Sequence, residues 1–211
     1  CGSRWGLAEL SDSSNISSQR VEWASRLQSG NVYENEFSRS LRAAYTDTVL
    51  FSKGQSSGSA PSGNFPDVQV GRDLRYLARH LSYSKQVGAR RQIYLVEDGG
   101  YDTHADQLST DAANPGLETR IGNVANSLSA FDQSIQTYGL NNDVITVVMS
   151  EFGRTLDPAA GAGSDHAWGN HWFALGGPVK GGTIYGSTFP TLQTGGVVDA
   201  SSWQPYRGQW I

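Results

Sequence analysis

The sequence predicts an α/β domain with a mostly parallel sheet, and two observations carry that expectation. A strand-like run, a long amphipathic helix and a second strand-like run follow one another between residues 92 and 150. Strands joined through a helix in this order lie parallel with a right-handed crossover. The second run, residues 144–150 (VITVVMS), is almost wholly apolar, as a strand covered on both faces requires.

Composition narrows the class further. The 211 residues are 37% hydrophobic and 17% charged, which excludes both a membrane-embedded chain and a charge-rich disordered one. No run of about 18 apolar residues is present, so no transmembrane segment is expected. A net charge of −4 gives no electrostatic grip on nucleic acid. The Arg90-Arg91 pair precedes a strand-like run instead of a long apolar segment and is not read as an export signal. Cys1 is the only cysteine, so there is neither an internal disulfide nor a thiolate metal site. Two origins fit Cys1: the lipidated first residue of a processed bacterial lipoprotein, or a cut within a longer chain. The second is preferred for a reason given below.

Along the chain, residues 1–66 are expected to form an irregular, partly helical N-terminal segment, and residues 67–211 an α/β core. Val21, Trp23, Ala24 and Leu27 have helical spacing, as do Phe37, Leu41, Ala44 and Tyr45. Residues 53–66 (KGQSSGSAPSGNFP) read as a Gly/Ser/Pro loop. Within it, Gly54-Gln55-Ser56-Ser57-Gly58 matches the G-x-S-x-G elbow of serine hydrolases. That elbow needs a strand before it and a helix directly after it, which this context lacks.

Leu74, Leu77, Ala78 and Leu81 form a helical stripe with Gly88 as its stop; His80 lies off the stripe and is expected at the surface. Residues 92–96 (QIYLV) read as a short buried strand. Asn114-Pro115 is expected to open the next helix, as a cap followed by proline. Leu117, Ile121, Val124, Leu128, Phe131, Ile135 and Tyr138 then recur every three or four residues until Gly139. Residues 172–175 (WFAL) predict a further buried strand, and residues 183–185 one more short strand.

Three segments carry candidate chemistry: GGYDTHAD from Gly99, SEFGRT from Ser150 and GSDHAWGNH from Gly163. Ligands bind beyond the carboxyl ends of the strands in an open parallel sheet. The strand–helix–strand order brings Asp102, His104 and Glu151 to that edge. In extended backbone Asp102 and His104 point the same way. The loop bearing Asp165, His166 and His171 closes over them, and three of the four histidines fall in these segments. Imidazole and carboxylate without thiolate suit zinc, and additional carboxylates suit manganese or magnesium. The plainer alternative is an Asp–His pair that only orients a loop, with Glu151 capping a turn and Arg154 pairing with it.

The words GGYDTHADQ, YGLNNDV, VITVVMSEFGRT and GSDHAWGNHWFALGGPVKGG resemble the bacterial domain of unknown function family number 1501, over residues 68–187. Members of that family are typically exported, often through a twin-arginine signal, and are remote relatives of alkaline phosphatases and sulfatases. The resemblance implies a three-layer α/β/α fold with a mostly parallel sheet. It also implies a two-metal hydrolase of phosphate or sulfate esters acting on an anionic small-molecule or polysaccharide ester.

Asp102 then stands at the first metal with His104 or Asp106, and His166 or His171 returns to it. Glu151 keeps one ligand of the second metal in kind, while Phe152 stands where that metal's histidine is expected. Zinc is the leading ion, with manganese, magnesium and calcium as the others, and Arg154 is the anion clamp. Residues 1–66 contain nothing that reads as the family's nucleophile strand and turn. The chain therefore resembles the C-terminal part of a larger protein with an incomplete core, which is why Cys1 is read as a cut. Lacking that strand, it is not expected to turn over substrate by the family plan. The alternative function is a non-catalytic exported binding or structural module that keeps the fold and one metal.

Overall fold

A computed structural model describes residues 16–155, 158–167 and 169–186. They form four helices, α1 (Ile16–Ala24), α2 (Val32–Ser57), α3 (Gln69–Gln86) and α4 (Leu117–Thr137), and two short strands, β1 (Thr146–Val148) and β2 (Phe173–Leu175). The chain divides into two compact units. Of the described residues, one unit holds those from Ile16 to Pro61 together with Tyr76–Tyr94, and the other holds Ser62–Arg75 and those from Leu95 to Gly186. No described helix is long and apolar enough to cross a membrane.

In the first unit, Asn31 caps α2 by accepting the Tyr33 N–H at 2.9 Å. The helix then runs on through residues 53–57, which the sequence predicts as loop. Close approach to residues 76–86 of α3 accounts for the difference. A Cβ on Gly54 would lie 2.3 Å from His80 Nδ1, and one on Gly58 would lie 2.2 Å from the Arg79 carbonyl oxygen. Gly54 and Gly58, four residues apart, thus open one face for a neighbouring helix. Ser56, between them, donates its hydroxyl to Ser52 and Lys53 carbonyls within its own helix. The G-x-S-x-G match is a packing feature here, without the strand-to-helix turn of an elbow.

His80 corrects the sequence reading outright, because its side chain is buried with 2% exposure. Its Nε2 meets Tyr94 Oη at 2.8 Å and Ser84 Oγ at 3.2 Å, and its ring lies 4.9 Å from that of Phe51. Its Nδ1 is buried without a hydrogen-bond partner. Burial pulls the imidazole below its ordinary pKa, against a weaker opposing pull from the Phe51 backbone.

In the second unit α4 follows the predicted stripe. Leu128, Phe131 and Ile135 are buried, whereas Ile121 near the start of the helix is 55% exposed. The helix opens two residues later than Asn114-Pro115 would place it. Gly116 is the cap residue and makes no side-chain bond. The loop carbonyls of Ser109 and Gln107 instead take the N–H groups of Gly116 and Leu117, each at 2.9 Å. Residues 62–71 pack along α4: Ser62 Oγ meets Thr137 Oγ1 at 2.9 Å, and Gly63 N–H reaches Ser134 Oγ at 3.3 Å.

β1 and β2 pair antiparallel in the register Thr146–Leu175, Val147–Ala174 and Val148–Phe173. Neither residues 92–96 nor residues 183–185 form a strand. Among the described residues the sheet therefore has two strands, and such a ribbon leaves its faces open. Ile145, Val147, Met149 and Phe173 are accordingly exposed, where the sequence predicts buried strands.

Candidate functional site

A short lattice of backbone bonds weaves three loops of the second unit together. Ser164 N–H bonds the Thr103 carbonyl at 3.0 Å, and Asp106 N–H bonds the Gly161 carbonyl at 3.0 Å. Thr155 N–H bonds the Asp165 carbonyl at 3.0 Å, and Ala167 N–H bonds the Gly153 carbonyl at 3.0 Å. Isolated bridges between Ala105 and Ala162 and between Arg154 and His166 complete the weave. It depends on Gly163, where a Cβ would sit 2.1 Å from the His104 carbonyl carbon and oxygen. Any side chain there would drive the two loops apart.

The lattice brings Asp102, His104 and His166 together. Asp102 Oδ1 lies 2.9 Å from His104 Nε2 and 2.9 Å from His166 Nε2, and the two Nε2 atoms are 3.1 Å apart. All three side chains are partly open to solvent. Among the described residues, no other group of three or more His, Cys, Asp or Glu side chains converges in this way. Asp165 stands beside the group, its Oδ1 3.7 Å from His104 Nδ1 and 2.7 Å from the backbone N–H of His166, which it accepts. Glu151 and His171, also candidates from the sequence, are exposed and outside the group, as is Asp106.

Arg154 is turned inward. Its Nη1 donates to Asp102 Oδ1 at 2.8 Å, its Nε to Ser164 Oγ at 2.8 Å, and its Nη2 to the Ser164 carbonyl. Ser164 is buried and donates its own hydroxyl to Gln107 Oε1, which also accepts from Thr103 Oγ1 at 2.9 Å. The Arg154 guanidinium, and after it the His166 hydrogen bond, hold the Asp102 carboxyl down at about 2. The Phe152 ring lies 4.5 Å from the ring of His166 and steadies it.

Ser164, Gln107, Thr103 and the packing role of Phe152 were not singled out from the sequence. Ser164 and Thr103 lie inside the segments that were, and Gln107 directly follows one, but the Ser164–Gln107 bond joins positions 57 apart.

A family described as "Protein of unknown function (DUF1501)" matches residues 19–200. The chain belongs to this family. Comparison with curated proteins and with solved structures found no match.

Proposed function

We propose that the chain carries the metal-binding part of an exported, metal-dependent hydrolase of phosphate or sulfate esters. The observation that carries this reading is the convergence of His104 Nε2 and His166 Nε2 on Asp102 Oδ1. A first-row divalent ion at about 2.0–2.1 Å from its ligands sets donor–donor edges of about 2.9 Å when octahedral and about 3.3–3.4 Å when tetrahedral. The three sides of this triangle are 2.9, 2.9 and 3.1 Å, so the donor set fits such an ion. Two imidazoles and one carboxylate favour zinc.

Asp102, His104 and His166 would hold the ion, which when bound would polarise an ester oxygen as a Lewis acid. Asp102 supplies a carboxylate already ionised through the whole neutral range. Asp165, facing the other nitrogen of His104, acts as an outer partner that orients the imidazole. The resemblance to alkaline phosphatases and sulfatases supplies the substrate class and the exported location. It also supplies the three-layer α/β/α fold, in which further sheet would cover the exposed apolar residues of β1 and β2.

The second reading is a non-catalytic exported module with one metal. Two observations favour it: the Arg154 guanidinium faces Asp102 and Ser164, and Phe152 stands beside His166 where a further ligand was expected. The test is metal analysis of protein purified without chelator, followed by a panel of phosphate and sulfate esters with zinc, manganese, magnesium and calcium. Ester turnover that disappears in Asp102→Ala selects the hydrolase. Bound metal without turnover selects the module. Absence of bound metal, with unchanged affinity in His104→Ala and His166→Ala, overturns both.

A further inference from the structure

We infer that this centre takes one ion, and that Arg154 occupies the side of Asp102 that a second ion would need. The inference rests on the metal reading above and sets its stoichiometry. Two-ion sites hold their ions about 3.5–4 Å apart, close enough for one carboxylate to bridge them. Asp102 Oδ1 has the position of such a bridge, with His104 and His166 as the donors on one side. The same oxygen also accepts from a guanidinium, with Nη1 at 2.8 Å, which takes up the lone pair a second ion would need.

That guanidinium is built in. Its side chain is only 15% exposed, and Ser164 fastens it through both hydroxyl and carbonyl. Withdrawing it would leave the hydroxyl oxygen and carbonyl of buried Ser164 without these donors. Phe152 closes the neighbouring flank of His166 with carbon, which offers no ligand atom. Arg154 therefore supplies a fixed positive charge where a binuclear centre would place its second cation. Ser164 and Gln107 are positioning residues that keep it there.

The experiment is a calorimetric titration of the metal-stripped intact chain with zinc chloride, with retained zinc counted after dialysis. One ion per chain is expected, lost in Asp102→Ala and retained in Arg154→Lys, which keeps the cation. Ser164→Ala should keep the count at one and weaken zinc by about 10-fold, the usual scale for an outer-shell partner. Two ions per chain, both lost in Asp102→Ala, would overturn the inference and leave the metal reading standing. No ion in the wild-type chain would overturn the metal reading and this inference with it. Should Ser164→Ala fail to fold, the wild-type count and Arg154→Lys decide the question.

Discussion

Two regions of this molecule use histidine in opposite ways. His80 is sealed between α2 and α3 within the first unit, against Phe51, Tyr94 and Ser84, with no carboxylate among these contacts. His104 and His166 lie in solvent-open loops of the second unit and share one carboxylate oxygen with an arginine. Burial favours the uncharged ring in the first case and makes it a packing element with a polar tip. In the second, two ring nitrogens and an oxygen are gathered by backbone lattice bonds, and their open side faces water. A histidine's role follows from whether its ring nitrogens converge with other donors.

The sharpest way to break this contrast is Asp102→Ala. Zinc affinity is expected to fall by more than about 100-fold, beyond the range of an outer-shell change, as read by competition with a chromogenic chelator. Unchanged affinity would reduce the triangle to loop packing. Gly163→Ala should cost about 3 kcal/mol, because its Cβ would collide with the His104 backbone and not with a flexible side chain. Denaturant unfolding reads that loss, and zinc affinity should fall with it.

Gly54→Ala is expected to be milder. Crowding of His80 costs about 2–3 kcal/mol, offset by about 1 kcal/mol of improved helix propensity, which leaves a net loss of about 1–2 kcal/mol in urea.

The His80 ring gives a pH signature. Its folded pKa is lowered, so the unfolded chain binds the proton first as pH falls. Stability is complete above about 6.5, the unfolded value, and declines below it until the folded pKa is passed. His80→Phe should flatten that part of the stability–pH curve, and a curve unchanged by the substitution would contradict the assignment. Ser56→Ala is the smallest change, expected within about 0.5 kcal/mol in stability and without effect on any ester turnover. Lost turnover would restore the elbow reading of Gly54–Gly58.

Legibility in the sequence tracked the range of the interaction. α4 and α3 were readable from apolar spacing, since a helix repeats its own period within a few residues. β1 and β2 were readable as short apolar runs, but their antiparallel pairing was not, because pairing is a choice between partners 27 positions apart. The loop reading of residues 53–57 failed because Gly and Ser serve close helix approach as readily as a turn. Asp102 and His104 were visible through their spacing. Arg154 was visible as a cation, while its inward direction was not.

By itself, then, the sequence determined the apolar stripes of α3 and α4, the family, and the three segments that hold every member of the Asp102–His104–His166 group. Only the tertiary structure decided that Glu151 and His171 stand apart from that group, that Asp165 lies beside it, that Arg154 is bound to Asp102 and that His80 is buried. The physical reason is common to all of these. Each depends on the meeting of atoms from distant parts of the chain, fixed by close backbone approach at glycines and by hydrogen bonds that local patterns do not encode.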